Sequence, residues 1–522
     1  MTKMKSISLA KVAAASALAV GVLGCGDLTG LNGNPNSPTE APPGALFTRA
    51  VSTTAQRWIG SGYDLRQTEW LAQHFGEVFY PDEDRYVRLQ AAQTQGSFDN
   101  PYTTELEDLQ KVIEAGQEAS KPGISAPAMV LQTYGFGYIT DSFGDVPYSD
   151  ALKGDAEDGS LLPVYDAQKD IYNGFFTTLD AATQALAGAT GTGLGSADPI
   201  YGGDFEAWEK FSNSLRLRFA MRLSNVDPAT AQAQIQAALN APGGVFTSNE
   251  DAATIPWPGD GIVDNPWTVN FQTRDDHRMS RTLMDILVAN NDPRLPIFAQ
   301  PVQDSSLYPG GYGGMPNGLS ADSAGVFAKI ASRPGTVFYG GATSNGYFGS
   351  PVNASRPSYF MTYAEVAFLQ AEAAQRGWGG LNASQAQGFY EAGIRSSMEQ
   401  WGVTSEAAVN AYLAKPAVAY KGGNDGLKQI GVQKWLAFVG DGGQAWAEWR
   451  RTCQPETIKA GPAAIVTLVP RRFFYSPTET QANGDNVAAA VARQGPDNFG
   501  TRIYWDSQKG VTCPAGYPLG EN

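Results

Sequence analysis

Large apolar residues recur near the 3.6-residue helical period along most of the chain. Residues 45–79 carry this spacing and break at Pro81 and the acidic run Asp82-Glu83-Asp84. Two further helical stretches are predicted over 104–117 and 126–140. The second runs into Asp141-Ser142-Phe143-Gly144-Asp145-Val146-Pro147-Tyr148, whose Gly and Pro signal a turn. In 163–186, Val164, Ile171, Phe175 and Leu179 share one face. Residues 205–223 form another helix, stopped by Asp227-Pro228, and a short one fits 229–239. From 241 to about 358 the pattern changes: turn signals such as Pro256-Trp257-Pro258-Gly259 and Arg333-Pro334-Gly335 crowd in around one clear helix at 279–290. Helix returns at 359–377, 383–401, 406–413 and 427–439, and the chain reads as irregular from about 455. No long alternating series predicts a sheet, so the fold class is mainly α. Tyr363, Val366, Ala367, Ala371 and Ala374 fall on one stripe, small enough for close helix approach, with Glu365 and Glu372 flanking it. Ala-rich seams of this kind suit tetratricopeptide-like helix pairs, although no repeat aligns along the chain.

Composition narrows the function classes. The 522 residues hold 37 basic and 52 acidic side chains, a net charge of −15. That balance argues against a phosphate-backbone binder, so no nucleic-acid partner is expected. The 59 Gly and 32 Pro exceed average usage, while 11% aromatics exclude a disordered chain.

The N-terminus predicts where the protein goes. Lys3, Lys5 and Lys11 lead into an apolar run, residues 13–23, too short to span a bilayer comfortably. It closes on Val22-Leu23-Gly24-Cys25, a pattern like a bacterial lipobox, in which a small residue precedes an accessible thiol. Residues 1–24 then read as a lipoprotein signal peptide, Cys25 as the site of lipid attachment, and 25–43 as a flexible tether. Cleavage removes three lysines and leaves a net charge of −18. Of the other two cysteines, Cys453 and Cys513 form either a disulfide, closing a loop of about 60 residues, or two buried free thiols.

Signatures of chemistry are sparse. The only histidines, His74 and His277, lie 203 positions apart, and no metal-ligand spacing surrounds them. His74 reads as a packed histidine, and His277 sits in Asp275-Asp276-His277-Arg278, read as a loop capping the next helix. No nucleophile elbow, P-loop or dinucleotide fingerprint occurs, so neither a catalytic residue nor a cofactor is expected. A glycosidase carboxylate pair stays open among 52 acidic residues. Aromatic residues in polar, turn-rich contexts suit saccharide rings, whose C–H faces stack on them. Tyr80, Tyr86, Trp257, Trp267 and Tyr312 are the candidate ligand contacts on this ground.

Several stretches, taken in order, resemble the SusD/RagB family of outer-membrane lipoproteins. They are Asn34-Pro35-Asn36 after the lipobox, Phe143-Gly144-Asp145-Val146-Pro147-Tyr148-Ser149, Asn213-Ser214-Leu215-Arg216-Leu217-Arg218, Asp292-Pro293-Arg294-Leu295-Pro296, Glu448-Trp449-Arg450-Arg451-Thr452 and Arg502-Ile503-Tyr504-Trp505-Asp506. These motifs read as scaffold: Gly144 turns the chain, and Arg216 and Arg218, or Arg450 and Arg451, are expected to pair with Glu365 and Glu372. The resemblance implies one SusD-like domain over 44–522, with tetratricopeptide-like helix pairs and a loop-rich part at about 241–358. It further implies a lipid-anchored, surface-exposed outer-membrane subunit without catalysis. Such a subunit binds oligosaccharides, or peptides in the RagB branch, and delivers them to a SusC-like TonB-dependent transporter. A surface glycosidase and a structural helical-repeat lipoprotein are the competing readings.

Overall fold

A computed structural model describes residues 41–154, 159–339 and 353–507. Cys25, Cys513, the residues read as a signal peptide and most of those read as a tether lie outside the described residues. Contacts group the chain from Pro43 onward into one unit.

Helices built on the predicted periodicity pack as sequential neighbours. Pro122–Phe143 lies against Glu105–Glu118 on one side and Gln168–Ala187 on the other; Phe205–Arg222 follows, then Pro228–Asn240. A second set is formed by Tyr363–Arg376, Ala383–Gln400 and Gly423–Ala437. Their starts are fixed by short polar side chains that accept otherwise orphaned backbone N–H groups. Asp204 accepts from Ala207, Asp227 from Thr230, Thr362 from Glu365, and Asp441 from Gln444. Small residues set the crossing distances, as at Gly393, where a Cβ would stand 2.7 Å from the Phe368 ring.

Only three short antiparallel pairs occur among the described residues: β1 (Phe75–Glu77) with β5 (His277–Met279), β2 (Val146–Pro147) with β3 (Tyr165–Asp166), and β4 (Ala253–Ile255) with β6 (Ser358–Met361). Each joins segments distant in sequence, which the period-2 test cannot see. The helix read over 359–377 therefore begins later, at Tyr363, because 358–361 is strand. The stretch read over 45–79 splits into Pro43–Trp58, a wide turn of helix at Ser61–Thr68, and β1. Helices also occur where irregular chain was expected, at Pro477–Ala482 and Gly484–Gln494.

The Phe-Gly-Asp-Val-Pro-Tyr segment works as a clasp. Pro122–Phe143 stops at Gly144, whose φ of +85° disfavours any side chain, and a Cβ there would collide with Gln494. The Asp145 carboxylate accepts from the Gln168 backbone N–H at 2.9 Å, at the start of the next helix, and from Arg493 at 2.8 Å. Asp166 accepts from the backbones of Tyr148 and Ser149, holding β2 against β3.

The arginine pairings hold for two of four. Arg218 donates two 2.6 Å bonds to Glu365, and Arg451 donates to Glu372 at 2.7 and 2.5 Å, all four side chains being buried. Arg451 also bridges to Glu448, which Lys434 meets at 3.0 Å. Burial penalises the Glu372 charge, but Arg451 and Arg376 outweigh it and hold the carboxyl below the usual range. Arg216 pairs instead with half-exposed Asp180. Arg450 lies 3.5 Å from the Trp446 ring centroid and 4.7 Å from that of Trp505, and donates to the Asp141 and Arg471 carbonyls. Its burial pushes the guanidinium down to about 9.

Candidate ligand-binding face

Exposed aromatic surface concentrates where β1 leaves the core. The Val78 N–H bonds the Asp276 carbonyl at 2.9 Å, extending the β1–β5 pairing by one step. The next two residues, Phe79 and Tyr80, are 55% and 53% exposed, whereas every other described aromatic side chain is buried or partly buried. Their backbone is not loose. The N–H groups of both donate to Glu77 Oε1 at 3.1 Å, so one buried carboxylate fixes the direction in which the pair leaves the body. The chain then folds back through a turn in which Glu83 N–H bonds the Tyr80 carbonyl at 3.0 Å. The Arg274 guanidinium stacks 4.5 Å from the Tyr80 ring centroid and donates to Asp276 Oδ2 at 2.5 Å. Arg66 pairs with Glu83 beside it. The result is a rigid aromatic ledge, edged with guanidinium donors and one exposed carboxylate, Asp82.

Carboxylates crowd the base of this ledge. Glu77, Glu83, Asp84 and Asp276 are all buried, as is His277. Burial, with Asp276 and Glu83 nearby, pushes the Glu77 carboxyl well above its usual range; burial likewise pushes Asp84 up to about 7. Asp276 goes the other way, because His277 and Arg274 outweigh its desolvation. His277 is not in a capping loop: it belongs to β5, between the Trp70 ring at 5.1 Å and Phe271 at 5.3 Å. Ser280 caps the following helix instead. His74 is a packed core histidine, bonded to Glu69 at 2.6 Å and to the Trp435 carbonyl at 3.2 Å, with burial pushing it down to about 3.

The five aromatic candidates do not come together. Tyr80 forms the ledge. Tyr86 is fully buried, in a left-handed conformation with φ of +70°. Trp257 is buried and donates to Ser358 Oγ at 2.9 Å, and Trp267 packs among Phe75, Phe271 and Phe338. Tyr312 is half-buried against the core. For Tyr86, Trp257 and Trp267 the polar sequence context misled, because isolated aromatics in loops anchor those loops to the body and leave no free ring face. Phe79 and Arg274 were missed, although Phe79-Tyr80 directly before Pro81 and an acidic run was visible in the sequence. Cys453 is buried and disulfide-bonded.

Two other concavities are less suited to a sugar chain. One is small, interior and mixed in its lining, between Ile59, Arg356, Tyr359, Trp401 and Asp441. The other is an apolar groove lined by Ala91, Ile465, Val466, Leu468, Phe474 and Phe499. No described helix is long and apolar enough to cross a membrane.

The comparison with known proteins now decides the family. A SusD-like family model, described as starch-binding and associating with the outer membrane, matches residues 35–476. The chain belongs to this SusD-like family. Among solved structures, a chitin-binding protein superposes with a TM-score of 0.77 at 28% identity, over 89% of this chain and all of its own. A SusD homolog from Bacteroides uniformis gives 0.74 at 26% identity, over 88% and 99% of the two chains. A chitin-binding SusD homolog from Flavobacterium johnsoniae gives 0.73 at 25%, over 91% and 99%. No protein of curated function matches the chain. The mainly α SusD-like architecture thus rests on both sequence and structure, and the family description supplies the association with starch and the outer membrane.

Proposed function

We propose that this SusD-like protein captures glycan chains on the Phe79–Tyr80 ledge and hands them, without chemistry, to a SusC-like TonB-dependent transporter in the outer membrane. The observation that carries the reading is the ledge itself: two exposed aromatic rings on a backbone pinned by a buried carboxylate. A sugar ring offers C–H groups to such a face and hydroxyls to Arg274 and Asp82 at its edge. A platform already fixed in place loses little conformational entropy on binding. Arg274 covers one side of Tyr80, which leaves the other for the ligand. The lipobox supports anchoring through Cys25 at the cell surface, and the two chitin-binding relatives make N-acetylglucosamine oligomers the first ligand to try.

The test is calorimetric titration of the purified protein with chitin and starch oligomers, alongside Tyr80→Ala and Phe79→Ala. One oligomer series should bind, and Tyr80→Ala should weaken it at least about tenfold, equivalent to about 1.4 kcal/mol of stacking. Unchanged affinity in both variants would move the site elsewhere. Hydrolysis of either polymer by the pure protein would replace capture with a surface glycosidase. Co-purification of a TonB-dependent transporter from native membranes tests the delivery step separately.

A further inference from the structure

The base of the ledge holds donor atoms that the ledge does not use. β1 and β5 pair with Glu77 opposite His277, and Asp276 directly precedes the strand. One donor atom from each of Glu77, Asp276 and His277 lies within 4.8 Å of the other two, and none of the three residues is more than 1% exposed. Their hydrogen bonds are incomplete in a specific way. Glu77 Oε1 serves the Phe79 and Tyr80 backbone, yet Oε2 has no hydrogen-bond partner among the described residues. His277 Nδ1 lies 2.7 Å from Asp276 Oδ1, a contact that orients the imidazole. The other ring nitrogen, Nε2, has no hydrogen-bond partner among the described residues. Two guanidiniums stand beside the group: Arg274 donates to Asp276 Oδ2 and stacks on Tyr80, and Arg66 pairs with Glu83, so Asp276 Oδ2 is already committed while Glu77 Oε2 is not. Asp84 stands next to the group, Oδ2 accepting from the Glu77 N–H at 3.3 Å and Oδ1 without a partner among the described residues.

Buried polar atoms are almost always satisfied, and one incomplete group of this make-up calls for an occupant. A carboxylate oxygen and an imidazole nitrogen, the imidazole oriented by a second carboxylate, make up a divalent-metal donor set with its outer support. We propose that Glu77, Asp276 and His277 form a site for a divalent cation of the zinc or manganese class, water completing the coordination. The nitrogen donor and the small number of protein oxygens disfavour calcium, which takes six to eight oxygens. The ion ties β1 to β5 directly beneath Phe79 and Tyr80, and so stiffens the ledge. The inference goes beyond glycan capture and does not depend on it, since metal content is measured with no glycan present.

The experiment uses the full-length protein in detergent, without a histidine tag, stripped by a chelator and titrated with Zn2+ alone. Calorimetry and metal analysis should give one equivalent per chain, and Tm should rise by about 2 °C or more at a hundredfold excess over Kd. His277→Gln and Glu77→Gln, checked for native circular dichroism, should each weaken binding at least about tenfold. Because either variant can fail to fold, zinc-edge X-ray absorption on the wild-type protein gives an independent reading, in which one imidazole should appear in the coordination shell. Less than about a tenth of an equivalent bound at about 10 µM free Zn2+, a shell without imidazole, or binding that persists unchanged in both folded variants would each overturn the site.

Discussion

Arg218→Met offers a sharp test of how the helix pairs are held in register. Arg218 reaches from Phe205–Arg222 to Glu365 on Tyr363–Arg376 through two 2.6 Å bonds, and adds a 3.1 Å bond to the Phe360 carbonyl. Both side chains are 3% exposed or less. Methionine retains much of the aliphatic stem, so the lost volume is small and the main consequence is a buried carboxylate without its cation. Removing one partner of such a pair costs about 3–5 kcal/mol. At about 2.1 cal/mol/K per residue over roughly 450 residues, the entropy of unfolding is near 1 kcal/mol/K, so Tm should fall by about 3–5 °C. The double variant Arg218→Met/Glu365→Gln removes the stranded charge as well and should recover all but about 1–2 kcal/mol. Thermal unfolding by circular dichroism, with urea midpoints as a second measure, reads both variants against wild type. If single and double variants are equally destabilised, the cost is packing and not charge, and the argument for these arginines as electrostatic struts fails.

Other expectations follow from the same geometry. Gly144→Ala places a Cβ at φ of +85° and against Gln494, and should cost more than about 1 kcal/mol in unfolding free energy by urea titration. Burial raises the Asp441 carboxyl to about 6, so its contribution is fully present below the unfolded value near 3.8 and is lost as pH rises through 6. Wild type should therefore lose up to about 3 kcal/mol relative to Asp441→Asn between pH 3.8 and 6, measured as the difference in urea midpoints across that range. Peptide mapping without reductant should recover Cys453 joined to Cys513, and reduction should lower stability by about 4 kcal/mol in the chain-entropy model.

Helices with a solvent face were legible because burial on one side only leaves a period in the sequence. Residues 383–401 and 406–413 were read nearly as they stand, at Ala383–Gln400 and Glu406–Leu413. Gly442–Thr452 was not, because it is buried all round: Trp446, Glu448, Trp449, Arg450 and Arg451 are all in the interior, so charged residues occupy positions that periodicity assigns to solvent. The buried charges are tolerated only because partners from other helices meet them, and those partners are invisible to a local window. The aromatic candidates failed for the same reason. Ring type and polar neighbours are properties of the sequence, but whether a ring is covered depends on distant segments, as with Trp257 and Ser358, 101 positions apart.

Tyr80 and Trp267 make that contrast physical. Trp267 packs on Phe75 of β1, and Tyr80 lies five residues beyond Phe75, so the packing that hides one ring fixes the strand that presents the other. Truncating Trp267 would therefore act on the ledge through β1, although Trp267 has no exposed face for a ligand. A core substitution that weakens glycan binding together with thermal stability would be expected on this arrangement. Tyr80→Ala, at a side chain already half in water, should instead weaken binding while Tm stays within about 1 °C of wild type. The separation of those two effects distinguishes a residue that touches the ligand from one that holds the residue that does.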